Sequence, residues 1–206
     1  MSTLTAIEPV TNGAKQLVEL EEPYAVDFTI KGTAALLLHA WNNEAVEEKA
    51  KARKNSAAKK TDNIESYVYR CEDGTIGIPG NYVHGAIRDA AKFRQDPRSP
   101  RKSAFDLYKA AVVPMTDIAS LGSTEWDYLD RRRVMVQRNG ITRERPAFLA
   151  GWEATFRFLV TLPEYVQPEM VLDVLTLSGR VTGIGDFRPT YGRFQIISFE
   201  VVDLED

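Results

Sequence analysis

The tightest constraint on the fold lies at 152–161, where Trp152, Ala154, Phe156, Phe158 and Val160 alternate with Glu153, Thr155, Arg157, Leu159 and Thr161. Successive side chains of a strand point to opposite faces, so a period of two predicts a strand with one face in a core. The same alternation occurs at 24–31, where Tyr24, Val26, Phe28 and Ile30 are the inward set. A third β-prone run closes the chain at 194–202. Between these runs the period changes. Tyr82, Val83, Ala86, Ile87, Ala90 and Ala91 fall on one helical stripe and predict a helix over 82–94, with Asn81 as its cap. Pro168 and Glu169 open a second helix over 168–178, with Val171, Val174 and Leu175 inward and Gly179 as its stop. With a short strand at 110–116, the order becomes strand, helix, strand, strand, helix, strand. That is an α+β chain with a ferredoxin-like βαββαβ core.

Two excursions interrupt the core pattern. Residues 42–63 are rich in Lys and Ala but have no apolar face, which predicts a long basic loop. Residues 119–151 carry an Arg-rich run, then Arg138-Asn139-Gly140, and Asn-Gly between β-prone runs predicts a basic hairpin turning there. A smaller hairpin is expected at 66–78, turning at Asp73-Gly74. Residues 1–20 are polar and weakly patterned, an expected flexible arm ahead of a single domain at 21–206. No apolar run approaches membrane-spanning length, so no membrane partner is expected. The lone Cys71 excludes an internal disulfide and suits a reducing cytoplasm. One Cys and two His cannot assemble the usual Cys/His zinc site, so no metal site is expected.

Net charge is −3, which argues against a polyanion partner until its distribution is read. Residues 49–60 hold six Lys/Arg and no acid, residues 88–102 six basic and two acidic residues, and residues 131–145 six Arg and one Glu. These segments carry +15, leaving −18 to the rest of the chain. Such segregation can build a basic surface on an acidic protein.

Two further segments suit a phosphate backbone. In Ile78-Pro79-Gly80-Asn81-Tyr82-Val83-His84-Gly85-Ala86-Ile87-Arg88, a strand runs through Pro-Gly into a helix amino terminus. Its free amides can bind phosphate, backed by the one-turn row His84, Arg88 and Lys92. The second is the glycine-rich run at 179–194. Gly183 and Gly185 allow close backbone approach, Arg180, Arg188 and Arg193 supply charge, and two aromatics can stack bases. It is not a dinucleotide fingerprint, because Arg188 stands where the third glycine belongs.

Together, Ile78-Pro79-Gly80 with Gly85-Ala86-Ile87-Arg88, and Gly183-Ile184-Gly185 with Tyr191-Gly192-Arg193-Phe194, resemble the RAMP superfamily. The likeness is to the backbone subunits of type III CRISPR effector complexes and runs loosely over 24–203. Glu144-Arg145-Pro146 and Gly151 resemble the stretch leaving that family's thumb hairpin. Lys31-Gly32-Thr33 through His39 also looks like the opening of uncharacterised phage and prophage proteins. The resemblance implies an RRM-type core, a protruding thumb, and subunits stacked along one RNA strand. Arg131, Arg132, Arg133 and Arg138 of the thumb then join the basic residues above as candidate contacts to single-stranded RNA or single-stranded DNA. His84 departs from the family, which has Lys there, so contact with the strand could depend on pH.

Two residues are candidates for catalysis. Target-cutting members carry an Asp where Ile64-Glu65-Ser66 places Glu65, which is one methylene longer and would need Mg²⁺. His39 follows the first strand, as does the general acid or base of metal-free RAMP nucleases. Its neighbours Leu36, Leu37 and Leu38 equally suit a packed histidine. Three functions therefore stand open: a strand-binding subunit, homo-oligomeric or within a RAMP-type complex and without cofactor; an endoribonuclease; or a protein that keeps the fold and binds another protein.

Overall fold

A computed structural model describes residues 22–40, 51, 63–136, 139–202 and 204. The expected arm at 1–20, nearly all of the basic loop at 42–63, and Arg138 lie outside the described residues. In chain order the strands are β1 (Tyr24–Gly32), β2 (Leu36–Leu37), β3 (Tyr69–Arg70), β4 (Ile76–Pro79), β5 (Gln95–Asp96), β6 (Ser99–Ser103), β7 (Val112–Pro114), β8 (Ile118–Ser120), β9 (Tyr128–Val136), β10 (Asn139–Phe148), β11 (Glu153–Val160) and β12 (Phe194–Val202). The α-helices are α1 (Gly80–Ala90), α2 (Phe105–Ala111) and α3 (Pro168–Val181).

The main sheet has the order β12-β1-β11-β7, every pair antiparallel. The first strand is thus flanked by the last and the third, with the second at the edge, as in the split βαβ arrangement. The ferredoxin-like expectation holds. Val26, Phe28 and Ile30 of β1 and Ala154, Phe156, Phe158 and Val160 of β11 are buried, as their alternation requires. Phe28 lies opposite Phe156, and their rings stack at 5.7 Å with Phe158 edge-on to Phe28 at 5.3 Å. Helices α1 and α3 pack against each other over this same face and share its core. No helix among the described residues is long and apolar enough to cross a membrane.

The other sheet face is polar. Thr29 Oγ1 meets Thr155 Oγ1 at 2.9 Å, Lys31 pairs with Glu153, and Arg157 holds Asp27 through two 2.8 Å bonds. Sheet-face RNA recognition of RRM type needs exposed aromatic side chains. On β1 and β11 this face offers none, and its charges are already paired.

Several local expectations need correction. The second core strand is shorter than 110–116, because α2 precedes it. This helix has no side-chain cap, and burial of Leu107, Tyr108 and Ala111 holds it in place, with Tyr108 OH donating to the Met170 carbonyl. Asn81 does not cap α1: the cap is Pro79, in extended backbone at the end of β4, and the helix begins at Gly80. Gly179 does not end α3, which continues to Val181. A Cβ at Gly179 would collide with the Phe194 carbonyl, so this glycine serves close helix-on-strand packing. The long hairpin is β9–β10, but Asn139 pairs with Val136, so the chain reverses before Asn-Gly. Its register is set at the buried base, where Asp130, Arg145, Ala147 and Phe148 sit. At Asp73-Gly74 the expected turn is present, with Asp73 Oδ1 accepting from Thr75 N and Oγ1.

Candidate nucleic-acid interface

The two segments singled out in sequence, about 100 residues apart, meet in space. A cleft of ≈ 270 Å³ is lined by Asn81, Tyr82, Gly85, Arg88 and Asp89 of α1 and by Gly185 and Arg188 of the glycine loop. The loop is seated on β2: Asp186 N donates to Leu37 O at 2.9 Å and Gly192 N to Ala35 O at 2.8 Å. Pro79 offers no capping side chain, and the Gly80 amide is taken up by the Asp117 carbonyl, so the next amides of α1 have no side-chain cap. Arg188 is exposed. Burial and contact with Tyr69 push the Tyr82 phenol upward, so it stays a neutral hydroxyl at the rim.

The glycines themselves answer to the chain. Gly183 (φ +67°) and Gly185 (φ +77°) are left-handed, where a side chain is strained. A Cβ on Gly185 would lie 2.6 Å from the Leu37 carbonyl oxygen, and one on Gly183 would lie 2.9 Å from that of Gly192. Both are required to seat the loop, so they shape the cleft without needing a ligand to explain them.

Tertiary contacts divide the cations into bound and free. In the hairpin, Arg131 faces Glu144 at 3.2 Å, and Arg132 Nε holds both carboxylate oxygens of Asp130 at 2.8 Å. Arg132 also donates to Tyr191 OH and stacks on the Tyr191 ring at 4.6 Å. Arg145 is bound to Asp186 of the loop. Around α1, Lys92 is tied to Asp89 at 2.9 Å, Arg94 to Asp173 by two bonds, and Arg98 to Asp96 by two. Arg88 and Lys92 both lie over Phe105, at 5.4 and 5.0 Å. Among the described residues Arg133, Arg180, Arg188 and Arg193 are exposed and have no ion-pair partner. Only Arg188 of these four lines the cleft.

His84 is placed away from the cleft. Its Nε2 is buried without a hydrogen-bond partner, and burial and then Arg88 hold its imidazole below the ordinary range, while the backbone of Tyr108 and Lys109 on α2 acts the other way. Near neutral pH it is therefore uncharged, unlike the lysine that the family resemblance places there.

The catalytic candidates lie elsewhere. Glu65 sits in a short 3₁₀ turn, Ile64–Tyr67, and accepts from Arg70 Nε at 2.6 Å. Arg70 also donates to the carbonyls of Gly74 and Thr124. The cation that Glu65 already holds is a guanidinium, and among the described residues no three His, Cys, Asp or Glu cluster as metal ligands. This does not fit a Mg²⁺ centre on Glu65. His39 is half-buried, its ring 4.3 Å from that of Tyr67 and its Nε2 3.4 Å from Arg143 Nη1. Sequence reading gives no site role to Tyr67 or Arg143 and takes Arg145 only as part of the stretch that leaves the hairpin, because each matters through contacts made across the fold.

No family model matches the chain, and no curated protein matches it. Among solved structures, similarity is found to a chain of the Type III-B Cmr-beta complex bound to cognate target RNA, at 12% identity and TM-score 0.48. That match covers 88% of this chain and 61% of the other, so this chain spans less than two thirds of that length. A second similarity is to Cmr6 from Pyrococcus furiosus, at 12% identity and TM-score 0.46, covering 85% of this chain and 99% of that one. At these scores the likeness decides neither fold nor activity; the fold rests on the sheet order and helix packing given above.

Proposed function

We propose that this chain is a single-stranded nucleic-acid-binding subunit, with RNA as its expected ligand, that assembles with RAMP-type subunits or with copies of itself along the strand. One observation carries the reading: two motif segments distant in sequence line one cleft, to which Arg88 of α1 and exposed Arg188 of the glycine loop bring guanidinium groups suited to a phosphate. The free cations Arg133, Arg180 and Arg193 extend the positive field beyond the cleft. Contacts of this kind go to backbone, so binding has little sequence preference and a steep salt dependence. The test is a gel shift with single-stranded RNA and DNA of several sequences across a salt series, with particle imaging of the complex. Absence of any shift at low salt refutes the reading; binding without multimeric particles refutes the assembly part alone.

A metal-free endoribonuclease is the second reading, favoured by the grouping of His39, Tyr67 and Arg143. A histidine can move the proton of a ribose hydroxyl, and a neighbouring guanidinium can steady charge on the phosphate. Cleavage that persists in EDTA and disappears in His39→Ala is its signature; intact RNA after prolonged incubation removes it.

A further inference from the structure

The glycine loop contains an exposed aromatic ring on a built support. Phe187 adopts φ +57°, a region that bulky residues rarely occupy, and keeps 38% of its surface exposed. Asp186 holds it there. Its Oδ1 accepts from the Phe187 amide at 3.0 Å, its Oδ2 accepts from Arg145 Nε, and its own amide is tied to Leu37 O. Arg145 is only 3% exposed, lies with its guanidinium 4.5 Å from the Phe187 ring centre, and has its Nη1 buried without a partner. Tyr191 meets Phe187 edge-on at 6.5 Å, and Arg132 comes within 5.9 Å of the ring.

A strained backbone, a buried guanidinium under the ring and an apolar surface left open are three costs at one point, which a connector between a helix and a strand does not need. A flat π surface laid on the ring would cover its open apolar face, the one of the three that a partner can relieve. The ring is held rigid before binding, so little side-chain freedom is lost on stacking. Its cationic surroundings, with Arg188 next in the chain after Phe187, favour a partner that carries negative charge beside a flat face. A nucleotide has both.

Building on the strand-binding reading above, we propose that Phe187 is a base-stacking platform, with Asp186 and Arg145 as its positioning residues, and that the strand lies with a base on this ring while its phosphates engage Arg188 and the cleft. Tyr191, committed through its hydroxyl and ring to Arg132, supports the platform and does not offer a second one.

The experiment compares affinity for a single-stranded oligouridylate with that for an abasic ribose-phosphate strand of equal length. Wild type should prefer the base-bearing strand by roughly fivefold or more, the lower end of what a base–aromatic stack contributes. Phe187→Leu, equally strained at φ +57° but without a ring, should lose that preference and keep its abasic affinity and salt slope. Phe187→Trp should retain the preference. If wild type binds both strands equally, or Phe187→Leu keeps the preference, the platform is refuted while strand binding stands, and the exposed ring then belongs to a protein contact. If neither strand binds, the strand-binding reading fails and the platform with it.

Discussion

Arg132 and Arg133 are adjacent on β9, yet the structure predicts opposite consequences for removing them. Arg132 holds Asp130, which is only 7% exposed, and reaches across to Tyr191 of the glycine loop. Arg132→Ala leaves a nearly buried carboxylate without its cation and removes one of the loop's ties to the hairpin, the Arg145–Asp186 pair remaining. Breaking a fully buried pair costs about 3–5 kcal/mol. The Arg132 side chain is itself 41% exposed, so solvent screening reduces this to roughly 1–2 kcal/mol. For a chain of this size that lowers Tm by about 2–8 °C. Arg133 is exposed and has no ion-pair partner among the described residues, so Arg133→Ala should leave Tm within about 1 °C of wild type, as surface changes usually do. As a free cation, its loss should instead reduce the magnitude of the log-affinity versus log-salt slope for single-stranded RNA by about one unit. The assay pairs thermal melts with salt titrations for both variants. A wild-type Tm in Arg132→Ala, or a wild-type slope in well-folded Arg133→Ala, would refute this division into bound and free arginines.

Arg188→Ala should also lower the salt slope by about one unit at unchanged Tm, and a wild-type slope would return the glycine loop to the role of connector. Gly179→Ala should destabilise by about 1–3 kcal/mol, since its methyl must displace the Phe194 carbonyl at the start of β12; an unchanged melting curve would show that the α3–β12 contact is looser than described. Phe158→Ala empties part of the stacked cluster with Phe28 and Phe156 and should cost about 3–5 kcal/mol, measured by urea unfolding. Arg98, by its hydrogen bonds, holds the Asp96 carboxyl down to about 2, and Arg94 likewise lowers Asp173. The charged forms are favoured by folding, so their contribution is full above about pH 4 and is lost as pH falls toward 2. Acid titration of Asp96→Asn should show a shallower loss over that window, and an identical acid limb would contradict it.

Much of the core was legible because strand and helix periodicity are local. The alternation of Phe28 and Ile30 with Thr29 and Lys31, and of Phe156 and Phe158 with Thr155 and Arg157, named the buried face correctly. Helix α2 escaped notice because it has no cap or long stripe, only neighbours that bury it. The Asn-Gly signal misplaced the hairpin turn, because pairing at the buried end of β9–β10 outweighed a local preference at the other end. The glycine loop stood out in sequence, but its glycines were attributed to a ligand. Their neighbours prove to be the carbonyls of Leu37 and Gly192.

The sequence by itself determined the order and inward faces of the principal strands and helices, and it marked both segments that line the cleft. A side chain's face follows from its own backbone repeat, which any short window of residues contains. Only the tertiary structure decided which charges remain available to a partner. Arg145 is bound by Asp186, Arg94 by Asp173 and Arg157 by Asp27, partners 41, 79 and 130 residues away in the chain. No local pattern encodes such pairings. Runs that read as basic therefore resolve largely into cations already bound to acids, while Arg133 and Arg188 form no ion pair among the described residues, although Asp89 shares the cleft with Arg188.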